Sequence, residues 1–261
     1  MYKTFIPAVI LHPVEIPDII FTKKGMGLTY DHIEDVEISN CTSFYDWNST
    51  KKYISDQRYI PMLWSGKVSN NIPKNYNKDI LFLNEPNVES QSNITPKLAF
   101  ELYLKAKSHY SLANIIPGGM GSLGEYQLWT RWFEDFLELF YKNNIEMPVK
   151  FHTHGYSETF SDNPQYNMSP ENVITLWKRQ LFLIGDSKLY VTEFGDSNAN
   201  LANFKKLCDY CMQEKRIERI FPFVNRLVGN ESWFPNDWNV NMAMVNKEGN
   251  LTEIGKYYKS I

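Results

Sequence analysis

Short apolar runs rich in β-branched and aromatic residues recur along the chain, and the stretches between them repeat apolar positions every three or four residues. Eight runs predict strands: Gly25 to Tyr30, Thr42 to Trp47, Tyr59 to Trp64, Ile80 to Asn84, Asn114 to Pro117, Val149 to His154, Leu189 to Phe194 and Arg219 to Asn225. Several show little alternation, as parallel strands buried on both faces do. Thr95-Pro96 and Ser169-Pro170 each place a capping hydroxyl before a proline suited to the first helical position. From Leu128 to Phe140, the residues Trp129, Trp132, Phe133, Phe136 and Phe140 keep helical spacing, so both tryptophans read as core. Trp177, between Ile174 and Leu181, reads the same way. A long aromatic loop, the segment Asn241 to Gly249 and a short final helix follow the eighth strand.

No low-complexity linker divides the chain, which predicts one α/β domain over 1–261, with 1–24 an N-terminal extension leading into the first strand. Eight strands favour a closed (β/α)8 TIM barrel over an open sheet. With 43% hydrophobic and 22% charged residues among 261, the composition excludes disorder and a coiled coil. The formal charge of -3 and the lack of a basic block leave no electrostatic footprint for nucleic acid. Phe5 to Phe21 is the most apolar N-terminal stretch, but Pro7, Pro13, Pro17, Glu15 and Asp18 interrupt it. It reads neither as a membrane span nor as a signal peptide. The three cysteines, Cys41, Cys208 and Cys211, fit a reducing compartment better than a disulfide framework. The expectation is a monomer, cytoplasmic or released without a signal peptide, with no membrane partner.

Two strand ends carry a glutamate in a turn-forming setting: Glu85 in Leu83-Asn84-Glu85-Pro86-Asn87 and Glu193 in Val191-Thr192-Glu193-Phe194-Gly195. Both fall at the catalytic face of a barrel, where residues on opposed strands four and seven can flank a glycosidic bond. On position alone the pair reads equally well as helix-capping or surface glutamates. Trp47 and Trp64 end strands two and three, and Trp233 and Trp238 lie in the last loop beside Asn236, Asp237 and Asn239. Such rings suit the apolar faces of pyranoses, or else they plug the barrel rim. Gly119-x-Gly121-x-x-Gly124 matches a dinucleotide fingerprint but sits mid-chain without a clear ribose-binding acid. His152-x-His154 begins a metal pattern that lacks further ligands at suitable spacing, and Cys208-x-x-Cys211 has no second pair. No cofactor or metal is therefore expected.

Asn84-Glu85-Pro86 and Thr192-Glu193-Phe194 resemble the acid/base and nucleophile motifs of clan A glycoside hydrolases. More narrowly, Tyr59 to Trp64, Leu81 to Pro86 and Ser92 to Pro96 make Gly25 to Gly249 similar to glycoside hydrolase family 128, a family of endo-β-1,3-glucanases. The resemblance implies a retaining hydrolase acting on internal bonds of a polysaccharide, with Glu85 as acid/base, Glu193 as nucleophile and Asn84 on the sugar 2-hydroxyl. Substrate contacts are expected from Trp47, Trp64, Trp233 and Trp238 on that ring chemistry, and from His152, His154 and Tyr156 at the end of strand six. Two departures stand out. The family has Asn-Glu-Pro-Asp where this chain has Asn87. Its strand-six pattern of His, aromatic, Tyr, Gly becomes His152-Thr153-His154-Gly155-Tyr156, so His154 or the displaced Tyr156 must orient the nucleophile. The alternatives are a noncatalytic glycan-binding barrel and a metal-dependent hydrolase using His152 and His154.

Overall fold

A computed structural model describes residues 22–121, 126–158, 168–228, 231–232, 234 and 238–261, without the side chains of 126–130. The N-terminal extension therefore lies outside the described residues, apart from its last three. All eight predicted strands form: β1 (Gly25–Gly27), β2 (Ser43–Tyr45), β3 (Met62–Leu63), β4 (Asp79–Phe82), β5 (Asn114–Met120), β6 (Lys150–Ser157), β7 (Lys188–Asp196) and β8 (Ile217–Pro222). Every pairing is parallel and sequential, with β1 on β2 and then β3 through β8 in order. Two seams complete the circle. Single bridges join Phe44 to Tyr59 between β2 and β3, and Lys24 to Ile220 between β1 and β8. The chain thus folds as a (β/α) barrel.

The helices are α1 (Glu34–Ile38), α2 (Pro96–His109), α3 (Tyr126–Lys142), α4 (Pro170–Leu183), α5 (Leu201–Gln213) and α6 (Glu253–Ser260). The caps expected for α2 and α4 are made: Thr95 and Ser169 accept from the backbone amides of Leu98 and Asn172. No α-helix follows β2 or β3 among the described residues, although the barrel pattern predicts one after each strand. Between β3 and β4, Gly66, Pro73, Asn70, Asn71, Asn75 and Asn77 favour turns over a helical ladder.

Two apolar layers follow from the strand alternation. Outside the barrel, Phe133, Phe136 and Phe140 of α3, Trp177 of α4 and Phe204 of α5 pack on outward residues such as Phe82, Phe151, Val191 and Phe194. Inside, Tyr45, Ile60, Met62, Leu81, Ile116, Tyr190 and Phe221 fill the lumen. Trp177 is fully buried and Trp132 half-buried, with its indole N–H on the Ile94 carbonyl at 2.8 Å; the side chain of Trp129 is not described. Cys41, Cys208 and Cys211 are buried free thiols, as burial in an apolar core suggests. No helix among the described residues is long and apolar enough to cross a membrane.

Polar side chains secure the β1–β8 seam at both ends. At the bottom, Lys23 Nζ donates to the carbonyls of Cys211, Met212 and Glu214 at 3.0, 3.1 and 2.8 Å, at the C-terminal end of α5. Lys24 Nζ does the same for Tyr258 and Lys259 at the end of α6, at 3.2 and 3.0 Å. At the top, Asn225 Oδ1 accepts from the Thr29 amide at 2.6 Å, while Asp35 takes Arg226 Nη2 at 2.6 Å and Asn225 Nδ2 at 2.9 Å. Replacing Lys23 with Met keeps the stem but strips three carbonyls of their donor. It should cost about 1–3 kcal/mol in urea unfolding while leaving activity per folded molecule unchanged.

Candidate active site

Glu85 and Glu193 both reach the C-terminal mouth of the barrel, and both are about 95% buried, at 5% and 6% exposure. One carboxylate oxygen from each and one ring nitrogen of His154 all lie within 4.8 Å of one another. Glu193 sits inside β7 rather than past its end, and a register shift delivers it. Thr153 pairs with Val191, but the next pair is His154 with Glu193, so β7 carries one extra residue there. Val191 and Phe194 both face the helices, which leaves Thr192 and Glu193 both turned inward. Without that bulge, Glu193 would miss His154.

Left-handed backbone shapes the rest of the site. Leu83, Glu85 and Trp47 have φ of 74°, 44° and 54°, a region that costs a non-glycine residue of order 1 kcal/mol or more. The turn aims Glu85 across the mouth, with its amide on the Gly119 carbonyl at 2.7 Å. Gly119 and Gly121 of the apparent dinucleotide motif serve this approach, and Gly124 lies outside the described residues. A Cβ on Gly121 would lie 2.9 Å from Glu85 Oε1, and one on Gly119 2.8 Å from the Leu83 carbonyl. Asn87 locks the same spot, accepting from the Gly121 amide at 3.0 Å and donating to its carbonyl at 3.1 Å. A carboxylate there would lose the donor, so the departure from Asp is matched by this reciprocal pair.

The two carboxylates have different surroundings. Glu193 accepts from Trp47 Nε1 at 2.6 Å and from the Tyr156 hydroxyl at 2.7 Å, with His154 Nε2 at 3.4 Å from Oε1. Burial raises the Glu193 pKa, the His154 charge opposes that, and the rise prevails. Glu85 Oε1 contacts His154 Nδ1 at 3.0 Å. Burial alone would lower the pKa of His154, but Glu193 and Glu85 together raise it. The Tyr156 phenol is pushed well above 10 by burial beside Glu193, so it stays protonated and donates. The orienting role expected of His154 or Tyr156 is thus divided: the tyrosine makes the short bond to Glu193 and the histidine lies between both acids.

A cleft of about 360 Å³ opens over the pair, lined by Trp47, Trp64, Asn84, Tyr156 and Trp238 from among the predicted site residues. Trp47 also turns its indole N–H onto Glu193, a role its position did not suggest. Trp233, Asn236 and Asp237 lie outside the described residues. Thr29, Gln91 and Phe223 line the cleft and were not anticipated. Gln91 Oε1 accepts from Asn84 Nδ2 at 3.3 Å, and its closeness in sequence to Asn84 was the available signal.

His152 is a correction. It is fully buried one layer below the cleft, with Nε2 on the Phe82 carbonyl at 3.1 Å and Nδ1 on the Thr192 hydroxyl at 2.8 Å. A carbonyl only accepts, so Nε2 carries the proton and both nitrogens are occupied. His152 therefore reaches neither a sugar nor a metal shared with His154, whose ring centroid is 6.3 Å away. Strand periodicity explains the layering: His152, His154 and Tyr156 all face inward from β6, and each step of two climbs one layer.

The family model described as the glycosyl hydrolase catalytic core matches residues 27–258. The chain belongs to this family. No curated protein matches the sequence significantly. Solved structures similar to this hydrolase include a glycoside hydrolase family 128 (subgroup II) endo-β-1,3-glucanase from Pseudomonas viridiflava. It is 17% identical with a TM-score of 0.69, over 92% of this chain and 97% of that one. A subgroup I endo-β-1,3-glucanase from Amycolatopsis mediterranei, in complex with laminaritriose, is 13% identical with a TM-score of 0.70, over 92% and 99%. A subgroup III curdlan-specific exo-β-1,3-glucanase from Blastomyces gilchristii, in complex with glucose, is 23% identical with a TM-score of 0.58, over 92% and 98%. These likenesses confirm the barrel.

Burial and the neighbouring His154 hold the His152 pKa down at about 3 in the folded hydrolase. An unfolded histidine titrates near 6.5, so between these values the unfolded chain binds the extra proton. Stability should fall as pH drops from about 6.5 toward 3. Urea midpoints across that range should be flatter for His152→Gln, and parallel curves would exclude His152 as the cause.

Proposed function

We propose that the hydrolase cleaves internal bonds of a β-1,3-glucan with retention of anomeric configuration. Glu85 protonates the leaving oxygen while Glu193 attacks the anomeric carbon, forming a glycosyl-enzyme ester. Glu85 then takes a proton from water as that water attacks the same carbon and frees Glu193. The observation that carries this reading is the spacing: carboxylate oxygens within 4.8 Å suit the short separation of retaining enzymes rather than the longer one of inverting enzymes. The unequal partners support the division of labour. The indole and phenol donors on Glu193 favour its ionised form, as a nucleophile requires, against the burial that raises its pKa.

Substrate class rests on a longer chain of support. Trp47, Trp64, Trp238 and Phe223 give the cleft flat apolar walls beside the polar Asn84, Gln91 and Thr29, a lining suited to pyranose faces and hydroxyls. The motif resemblance to family 128 and the laminari-oligosaccharide complexes of structurally similar glucanases favour β-1,3 linkages. Incubation with a panel of polysaccharides should give mixed short oligomers from laminarin and none from cellulose or starch. Release of glucose alone would instead indicate cleavage from chain ends.

The two carboxylates should separate in a variant pair. Each alanine replacement should cut laminarin hydrolysis by about 10²–10⁴-fold. An aryl glycoside with an acidic phenol scarcely needs acid assistance, so Glu85→Ala should still show a burst with it, and azide should speed turnover to a β-glycosyl azide. In Glu193→Ala, any azide product should have the opposite anomeric configuration. Equal losses on every substrate without rescue, in folded protein, would favour the glycan-binding alternative.

A further inference from the structure

His154 presents an unusual pair of facing groups. It is 1% exposed, and its Nδ1 contacts Glu85 Oε1 at 3.0 Å. The two carboxylates favour a charged ring, with Nδ1–H on Glu85. Nε2 makes no hydrogen bond among the described residues and lies 3.4 Å from Glu193 Oε1, with which it forms an ion pair when protonated. A dication that displaces the Nε2 proton meets a ring lone pair and a carboxylate oxygen, both buried. The separation matches the edge of a tetrahedral zinc site, where bonds of about 2.0–2.2 Å put ligand atoms about 3.3–3.6 Å apart. A metal-bound histidine that donates its other N–H to a carboxylate is also the usual supporting arrangement. We propose that His154 Nε2 and Glu193 Oε1 bind a borderline-soft dication such as Zn²⁺. Glu85, held on Nδ1, steadies the ring, and water from the cleft completes the coordination.

Substrate and ion cannot use Glu193 together, so bound Zn²⁺ excludes the sugar from the reacting position. This consequence rests on the reading of Glu193 as nucleophile; the metal site itself does not. The imidazole selects against Mg²⁺ and Ca²⁺, which favour oxygen-only shells, and admits Zn²⁺ and Co²⁺. Among the described residues, His32 and His109 are the other histidines that could take up metal.

Equilibrium dialysis with Zn²⁺ and the visible spectrum of the Co²⁺-loaded protein test the site without turnover. One ion per chain is expected, with Co²⁺ bands of a four-coordinate centre. Affinity should weaken at least tenfold in the isosteric Glu193→Gln variant and stay unchanged in a His32→Ala, His109→Ala double variant. Laminaritriose should displace the ion from the unaltered protein, a measurement that needs no variant to fold. Unchanged affinity in Glu193→Gln with an unchanged Tm, or loss of binding in the surface double variant, would overturn the proposal. Zn²⁺ binding at this site in a protein inactive on every β-1,3-glucan would refute the substrate reading and uphold the metal site. Glucan hydrolysis indifferent to saturating Zn²⁺ would do the reverse.

Discussion

Burying two carboxylates within 4.8 Å of each other opposes folding, because each loses water and each repels the other. The barrel accommodates them by surrounding them with donors from separate strands. Trp47 comes from the turn after β2, and His154 and Tyr156 come from β6. Each donor in turn needs its own support. Trp177 gives its indole N–H to the His154 carbonyl at 3.2 Å, so a helix on the outside of the barrel steadies the strand that carries the histidine. The site therefore draws on inner and outer layers alike.

Local irregularity is what turns a regular barrel into this site. The extra residue in β7 brings Glu193 level with His154, and the left-handed Leu83 and Glu85 bend the chain after β4 toward the same point. Both departures sit beside the two glutamates. Backbone strain of this kind is tolerated where surrounding contacts overdetermine it, as the Asn87 and Gly119 bonds do around Glu85.

The eight strands were legible because each is a compact apolar run, and the two long-helix caps because Thr-Pro and Ser-Pro are local signals. Both glutamates were legible as strand-end acids, and their motifs named a clan. The missing helices after β2 and β3 were obscured by counting repeats; the Asn-rich run before β4 held the contrary information. His152 was misplaced for a different reason. Alternation tells which side of a strand a residue faces but not its depth, and two residues along β6 separate an imidazole below the site from one between the two acids. Nor does sequence expose a bulge: Thr192 is simply the next residue until β6 lies alongside. The tryptophan donor at Glu193 depended on contacts across 146 positions, which no local pattern contains.

The two seams divide the barrel into two paired pieces. Trp47 belongs with the β1–β2 pair, whereas Glu193 and Tyr156 belong to the six-stranded sheet. Single bridges, a few backbone bonds such as Met62 to Asn48 and Asn225 to Gly27, and side-chain clamps join them. With a seam open, Glu193 lacks its indole donor and the lumen lacks Tyr45. Chemical competence is therefore a property of the closed ring and not of either piece.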